Sequence, residues 1–541
     1  MRILVISDLL PPRMLGGFEL ACLNLSRGLR NAGHEVLILT SPTDIAPSDD
    51  ESWVDRSLNL RELFGVVGPR ESDLGKFQIH ESRVSNQANS LIVLDRIVKF
   101  APDHVLMFNL VGIGGLAIMD TVNLTGVPWT MNLGDNVPGE LLLGTHTEAL
   151  EVYSPPGADI FAAGRYSVVS QTLIDEVAST GISLGQAEII PRGVLYPDVE
   201  RTRRHNDGGI TRFVAAGILS PHKGVDIMID AAADLVRSGI VNFRLELYGG
   251  GLTDHYTTVI TERGLAGHVF VMGRVSQEAL FAVHAHSDAF LFPTWEREPG
   301  ASAPFEAASA GCIPIMTANC GPAERMVHGI HALKIERNAD SLAHEMRRVI
   351  AGEVDLERMA DAGRRLAHGD LSFALSVERL GNLIESATPP ATRKINFNQL
   401  ASEIIRKDII AMGALYRTFS AELSRTPDPE RDRMTEHDTA KATAERTKAT
   451  SAWTELRSLP GRALRRALRP LVQDELLSQR TVINQQANLN HERQQRLDER
   501  EKSLDKHELE IRSLIEGMKK DLLATNHRVD DIESQSQNLR R

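Results

Sequence analysis

Glu298 and Glu306 stand eight positions apart in EREPGASAPFEAASAGCIPI, residues 296–315, with Pro, Gly and Ala between them and an apolar run behind. On one continuous helix that offset would separate the carboxylates by about 12 Å along the axis, so a single helix is not expected to carry both. Pro299 and Gly300 disfavour regular structure directly after Glu298. Ser302 is of the N-cap type, Pro304 is tolerated in a first turn, and Phe305 to Ala310 continue a helix. The spacing therefore predicts a loop carboxylate and a first-turn carboxylate facing one pocket whose wall is a helix N-terminus. There, free N–H groups and the macrodipole welcome negatively charged or hydroxyl-rich ligands. That is the chemistry of a sugar-phosphate site, although the pair alone fits a solvated loop and an exposed helix face equally well.

The elements that must position these residues alternate along the chain. RILVIS (2–7) reads as an apolar strand, residues 16–33 as a helix closed by Gly33, and HEVLILTS (34–41) as a second strand. HVLMF (104–108), VPWTMNL (127–133) and YSVVS (166–170) follow with helical stretches between them, as in a parallel sheet covered on both faces. The first domain is expected to end near IIPRGV (189–194). A second alternation runs from RFVAAG (212–217) through FRLELYGGG, HVFVMG and AFLFPT to CIPIMTA. Two doubly wound domains in tandem place a ligand cleft between them at the strand C-termini, and Glu298 follows such a strand end.

Composition bounds the rest. A chain of 541 residues with 42% hydrophobic content holds two or more domains. A net charge of −12 argues against a general nucleic-acid binder, while a local basic cluster remains free to hold a phosphate. Cys22, Cys312 and Cys320 have no metal-ligand spacing and cannot staple a chain of this length, which points to a reducing, cytoplasmic compartment. No apolar run reaches bilayer-spanning length, and MRILVISDLLPP has no cleavage-site tail, so no secretory signal is expected.

Glu298, seven residues and then Glu306 resembles the Glu-x7-Glu signature of the retaining glycosyltransferases of family 4, which have the two-Rossmann GT-B fold. GILSPHKGVDIMIDA (217–231) resembles that family's phosphate-binding segment, GGFE (16–19) its N-terminal glycine loop, and SVVSQTL with IIPRGV its interdomain crossing. The resemblance covers roughly residues 1–387. It implies an α/β chain of GT-B type: two Rossmann-like doubly wound domains facing a cleft, followed by a helical and coiled-coil tail. The expected boundaries are 1–195 for an acceptor-side domain, 196–387 for a nucleotide-sugar donor domain and 388–425 for a helical extension.

Residue by residue, the resemblance implies that Glu298 holds donor-sugar hydroxyls and Glu306 the ribose hydroxyls, each by charge-assisted bonds. The N–H groups of Gly300 and Ala301 reach the sugar, and Lys223 neutralises the departing diphosphate. Gly16 and Gly17, in a tight turn after the first strand, present backbone donors to diphosphate or acceptor, or simply open a helix. Glu19 is favoured in a first turn in any case.

Two positions depart from the family pattern. Ile218 stands where members usually carry a phosphate-binding Arg, with Arg274 of VMGRV or Arg192 of IIPRG as substitutes. Gly134 stands where the family places a His, ahead of Asp135 and Asn136, which still face sugar or acceptor; His222 and His146 are weak stand-ins. The resemblance implies no cofactor and no metal, and the chain contains no Asp-x-Asp triplet. Lys223, the glycine loops and helix N-termini would stabilise the leaving group, with Glu298 and Asp135 beside it, and domain closure would exclude water.

Beyond about residue 425 the composition changes. Residues 426–455 read as a charged flexible linker. In 456–474, Arg457, Arg462, Arg465, Arg466 and Arg469 interleave with leucines in a short basic amphipathic segment, suited to an anionic membrane surface or to a solvated helix. In 475–541, positions 476, 483, 490, 497, 504, 511 and 518 read Leu, Ile, Asn, Leu, Leu, Ile, Met, a seven-residue repeat that predicts a coiled coil with Asn490 setting register. Two functions follow. One is a cytoplasmic glycosyltransferase of polysaccharide or glycolipid biosynthesis, taking a nucleotide-sugar donor and a glycan or lipid-linked acceptor. It would be homo-oligomeric through the tail, with peripheral contact at the inner membrane face left open and no nucleic-acid partner. The other is a catalytically lapsed GT-B protein serving as a sugar-nucleotide sensor or assembly scaffold.

Overall fold

The computed structural model describes residues 1–425 apart from 46–50, 62–80, 143–146, 156–158, 194, 198, 200, 202–203, 207–208 and 388–394. The linker, the basic segment and the seven-residue repeat lie outside the described residues, as does His146.

Two parallel sheets carry the chain. The first comprises β1 (Arg2–Ile6), β2 (Glu35–Leu39), β3 (Val54–Asp55), β4 (His104–Met107), β5 (Trp129–Leu133), β6 (Arg165–Val168) and β7 (Gln186–Ile189), in the order β3-β2-β1-β4-β5-β6-β7. The second comprises β8 (Thr211–Ala216), β9 (Phe243–Tyr248), β10 (Val269–Gly273), β11 (Ala289–Phe292), β12 (Ile313–Thr317) and β13 (Leu333–Ile335), in the order β10-β9-β8-β11-β12-β13. The central strands are apolar on both faces because helices cover both. Ile3, Leu4, Val5 and Ile6 are fully buried, and β1 pairs in register with β2 and β4 on its two sides. Helix Gly17–Asn31 turns Ala21, Cys22, Leu25 and Leu29 inward at helical spacing and gives way at Gly33, whose φ is +94°.

The strand order reverses direction beside β1 in one sheet and beside β8 in the other. Loops leaving β1, β4, β8 and β11 therefore diverge and open a crevice at the carboxyl ends. The site residues expected from sequence follow strands β1, β5, β8, β10 and β11, with the substitute Arg192 following β7.

The C-terminal elements sit differently from the expected partition. Helix Phe373–Glu385, assigned above to the donor domain, packs Val377, Leu380 and Ile384 into the core of the first domain beside Ile3, Val5 and Leu29. Helix Phe397–Arg425, expected as an extension, buries Ala411, Ala414 and Leu415 in that same domain's other core, against the helices that cover its sheet. Lys407 Nζ meets the buried Asp120 at 2.7 Å, and Ser85 bonds to Asp408. Both helices complete cores of the first domain, the first beside helix Gly17–Asn31 and the second against helices Gln87–Phe100, Gly115–Thr125 and Thr147–Tyr153.

Candidate active site

Lys223 comes from a short 3-10 turn, Pro221–Lys223, just after β8. The turn fits against the end of β11 only because position 224 is glycine. Gly224 has φ +76°, and a Cβ there would lie 2.1 Å from the Pro293 carbonyl oxygen. That contact sets the Lys223 ammonium against Glu298, and the two form an ion pair through Oε2. Thr294 Oγ1 donates to the same oxygen at 3.3 Å, and the Glu298 carbonyl accepts from Gly321 N at 2.9 Å. Glu298 is thus buried and fixed through side chain and main chain, while no hydrogen bond within the described residues takes its Oε1.

Glu306 is also buried, and its Oε1 accepts from Ser302 Oγ at 2.7 Å. Burial holds its carboxyl above the usual range, against the opposing pull of that hydroxyl and of Arg192. Ser302 stands at the expected N-cap position, its carbonyl accepting from Phe305 N and Glu306 N at 2.9 Å each. Its backbone angles are helical, φ −77° and ψ −21°, and its side chain makes no cap bond, because the hydroxyl goes to Glu306. The helix behind it, Ala303–Ser309, has only seven residues, so the expected helix N-terminus supplies a wall more than a field.

A cavity of about 190 Å³ lies between these residues and the first domain, lined by Gly17, Arg192, Gly217, Ile218, Lys223 and Ser302 among others. Ala301 is in its wall; Gly300 is close by, where a Cβ would come 2.6 Å from Val169 of the first domain. Gly16, expected to offer its N–H to a ligand, donates it to Glu19 Oε2 at 3.0 Å, so Glu19 caps its own helix. Asp135 is half-buried and accepts from Asn136 N at 2.9 Å, and Asn136 in turn accepts from Gly139 N at 2.9 Å. Burial raises the Asp135 pKa; the Asn136 N–H opposes it, Glu176 and Glu298 add to it, and Arg192 lowers it. Arg274 does not stand in the cavity wall: it is exposed and lies against Gly250. His222 is exposed against Trp295, with ring centroids 5.6 Å apart.

Sequence reasoning named Arg192 only as a substitute, yet it stands in the cavity wall with its guanidinium over the Phe18 ring, 5.5 Å from the centroid. The available signal was a charged residue between the apolar Ile190 and the close-packed Gly193 at the domain crossing. Two ties span the crevice nearby. Glu324 of the second domain accepts from Gln171 N and Thr172 N, at 2.8 and 2.7 Å, at the start of a first-domain helix, and Arg297 pairs with Glu176.

Solved structures share this architecture end to end. The sucrose-phosphate synthase of Thermosynechococcus elongatus superposes over 71% of this chain and 98% of its own, with a TM-score of 0.52 at 17% identity. The lipopolysaccharide outer core galactosyltransferase WaaB covers 71% and 99%, also at 0.52 and 17%. Anabaena HepE in complex with UDP covers 72% and 100%, at 0.52 and 16%. The fold is GT-B. Within this GT-B chain, residues 200–366 match the family described as glycosyl transferases group 1, a stretch that contains Lys223, Glu298 and Glu306. The GDP-mannose-dependent alpha-(1-6)-phosphatidylinositol monomannoside mannosyltransferase of Mycobacterium tuberculosis is 28% identical over 193 residues, 33% of this chain and 50% of its own. The matched stretch thus spans about half the length of the curated relatives it matches.

Proposed function

We propose that this protein is a retaining, metal-independent glycosyltransferase of the family 4 kind, moving a sugar from a nucleotide-sugar donor to a glycan or lipid-linked acceptor in polysaccharide or glycolipid biosynthesis. The observation that carries the reading is the Lys223–Glu298 pair, held at the lip of a cavity into which both sheets open. Glu298 keeps one carboxylate oxygen for donor-sugar hydroxyls, and Glu306, buried beside Ser302, accepts ribose hydroxyls. Lys223, released from Glu298 as hydroxyls replace it, faces the diphosphate as charge develops there. The bond from the anomeric carbon to the diphosphate oxygen breaks with its electron pair staying on that oxygen, which takes the acceptor proton on the same face. Closure of the two domains, tied through Glu324 and Arg297, excludes water from the exposed anomeric centre.

The solved relatives lend this reading a substrate class: one holds UDP, and the curated relative is named for a GDP-mannose donor and a phosphatidylinositol mannoside acceptor. Incubating the full chain with UDP-, GDP- and ADP-sugars and with glycan or lipid-linked acceptors tests it. Acceptor-dependent release of nucleoside diphosphate is expected. Tight donor binding with no release under any pairing would favour the second reading, a lapsed sensor or scaffold, which Ile218 and Gly134 motivate.

In this reading the enzyme is cytoplasmic, and its tail assembles it through the seven-residue repeat and touches the inner membrane face through the arginine segment. Among the described residues no helix is long and apolar enough to cross a membrane. Truncation after Arg425 is expected to leave a soluble donor-binding protein that has lost self-association. Light scattering showing one oligomeric state for both chains would end the assignment.

A further inference from the structure

Two cations line the cavity, and they are not equivalent. Lys223 is committed to Glu298. Arg192 makes no hydrogen bond and no ion pair with any described residue; its only described contact is the face of Phe18. The backbone that presents it is clamped: Ser376 Oγ donates to the Pro191 carbonyl at 2.9 Å, and a Cβ on Gly193 would lie 2.6 Å from Phe373 Cα. The guanidinium occupies the space that a side chain at Gly134 would need. A Cβ at Gly134 would stand 2.1 Å from Nη2, while one at Gly17 would be in ordinary contact, 3.6 Å from Nη1. Carboxylates from both domains, Asp135, Glu298, Glu19 and Glu306, favour its charged form against the cost of burial without pairing with it.

A held, charged, unpaired planar fork in a cavity wall is an oxyanion receptor, since guanidinium geometry matches two phosphate oxygens at once. We infer that Arg192 binds the diphosphate of the nucleotide, and that Gly134 is glycine to make room for it. The inference rests on reading the cavity as a nucleotide site. It gives the arginine absent at Ile218 and the side chain absent at Gly134 one common explanation: the guanidinium arrives from the domain crossing and occupies the volume beside Gly134.

Calorimetry with UDP, GDP and ADP and with UMP, GMP and AMP tests this on the full chain, with Arg192→Met, Arg192→Lys and Gly134→Ala variants whose folding is checked by melting. Arg192→Met should lower affinity for the diphosphate that wild type prefers by about 10- to 100-fold, the range of a charge-assisted bond, and leave the matching monophosphate nearly unchanged. Arg192→Lys should recover part of the loss. Gly134→Ala should weaken diphosphate binding in wild type but add little in the Arg192→Met background, because the two changes remove one interaction. An Arg192→Met protein that binds diphosphate as wild type does, or loses mono- and diphosphate equally, overturns the inference while leaving the nucleotide site intact. A wild-type chain that binds none of the six overturns both.

Discussion

The two walls of the cavity handle charge in opposite ways. Among the described residues, Lys223 in the second-domain wall has Glu298, Glu298 behind it also has Thr294, and Glu306 has Ser302. In the first-domain wall the side chain of Arg192 has, among the described residues, only an aromatic face, and nearby Asp135 has only a backbone N–H. A wall whose groups are mutually satisfied is stable when empty and must exchange partners when a ligand arrives. A wall with an unpaired cation gains its partner only from the ligand. On the function proposed above, the asymmetry would separate recognition of hydroxyls, which can replace a partner one for one, from recognition of phosphate charge.

Substitutions in each wall should therefore fail differently. The largest effect is expected for Lys223→Ala, which removes the cation that the proposed function sets against the leaving group and leaves Glu298 buried without its counter-ion. Turnover should fall by roughly two orders of magnitude or more, read as nucleotide release at saturating donor. Normal turnover would transfer the whole leaving-group role to the opposite wall.

Glu306→Ala comes next, with donor affinity weakened by about 1.5 to 3 kcal/mol through loss of charge-assisted bonds to ribose. Glu306→Gln separates binding from stability. Burial raises the folded pKa of Glu306 above its unfolded value. Its contribution to stability is therefore full below the unfolded pKa and lost as pH rises through the folded pKa. The ligand-free Gln variant should melt above wild type at neutral pH, with the gap closing as the medium is acidified, while binding donor more weakly. A melting difference that does not change with pH would show that the buried carboxyl carries no such cost.

The smallest effect addresses the ties between the walls. Glu324→Ala uncaps helix Gln171–Ser179 across the crevice and should cost about 1 kcal/mol, seen as a lower melting temperature with donor affinity kept. A loss of affinity much greater than the loss of stability would mean that the tie also sets the distance between the two walls.

How much of this was legible in sequence follows from how local the information is. Glu298, Glu306 and Lys223 declare themselves because each sits in a short run whose spacing fixes its place after a strand. The apolar strands β1, β4, β5, β8 and β11 do so because two-sided burial demands uninterrupted hydrophobic residues. β7, reading Gln-Ala-Glu-Ile and largely exposed at a sheet edge, carries no such pattern, and the two residues of β3 are too few to carry one. Sequence offers Arg192 and Arg274 alike, because the place of Arg192 depends on a missing side chain in a distant segment, at Gly134. A glycine announces the absence of a side chain but not which neighbour fills the gap. The helix at 397–425 was readable as a helix; its seat on the first domain, through Lys407 and Asp120, is a tertiary choice that no local spacing encodes.

The return of the last two helices to the first domain also fixes an order of events on the ribosome. The second sheet and the helices around it draw on a continuous stretch, β8 to helix Leu356–His368, and can close as soon as that stretch has emerged. The first sheet is made before the second, yet Leu380, Ile384, Ala411 and Leu415 of its cores are made after it. At about 5–20 residues per second, the interval between the end of β7 and residue 425 is on the order of ten seconds or more. Throughout it the first domain lacks part of both its cores, so of the two domains the one translated first is the one that finishes folding last and the one a chaperone would be expected to hold.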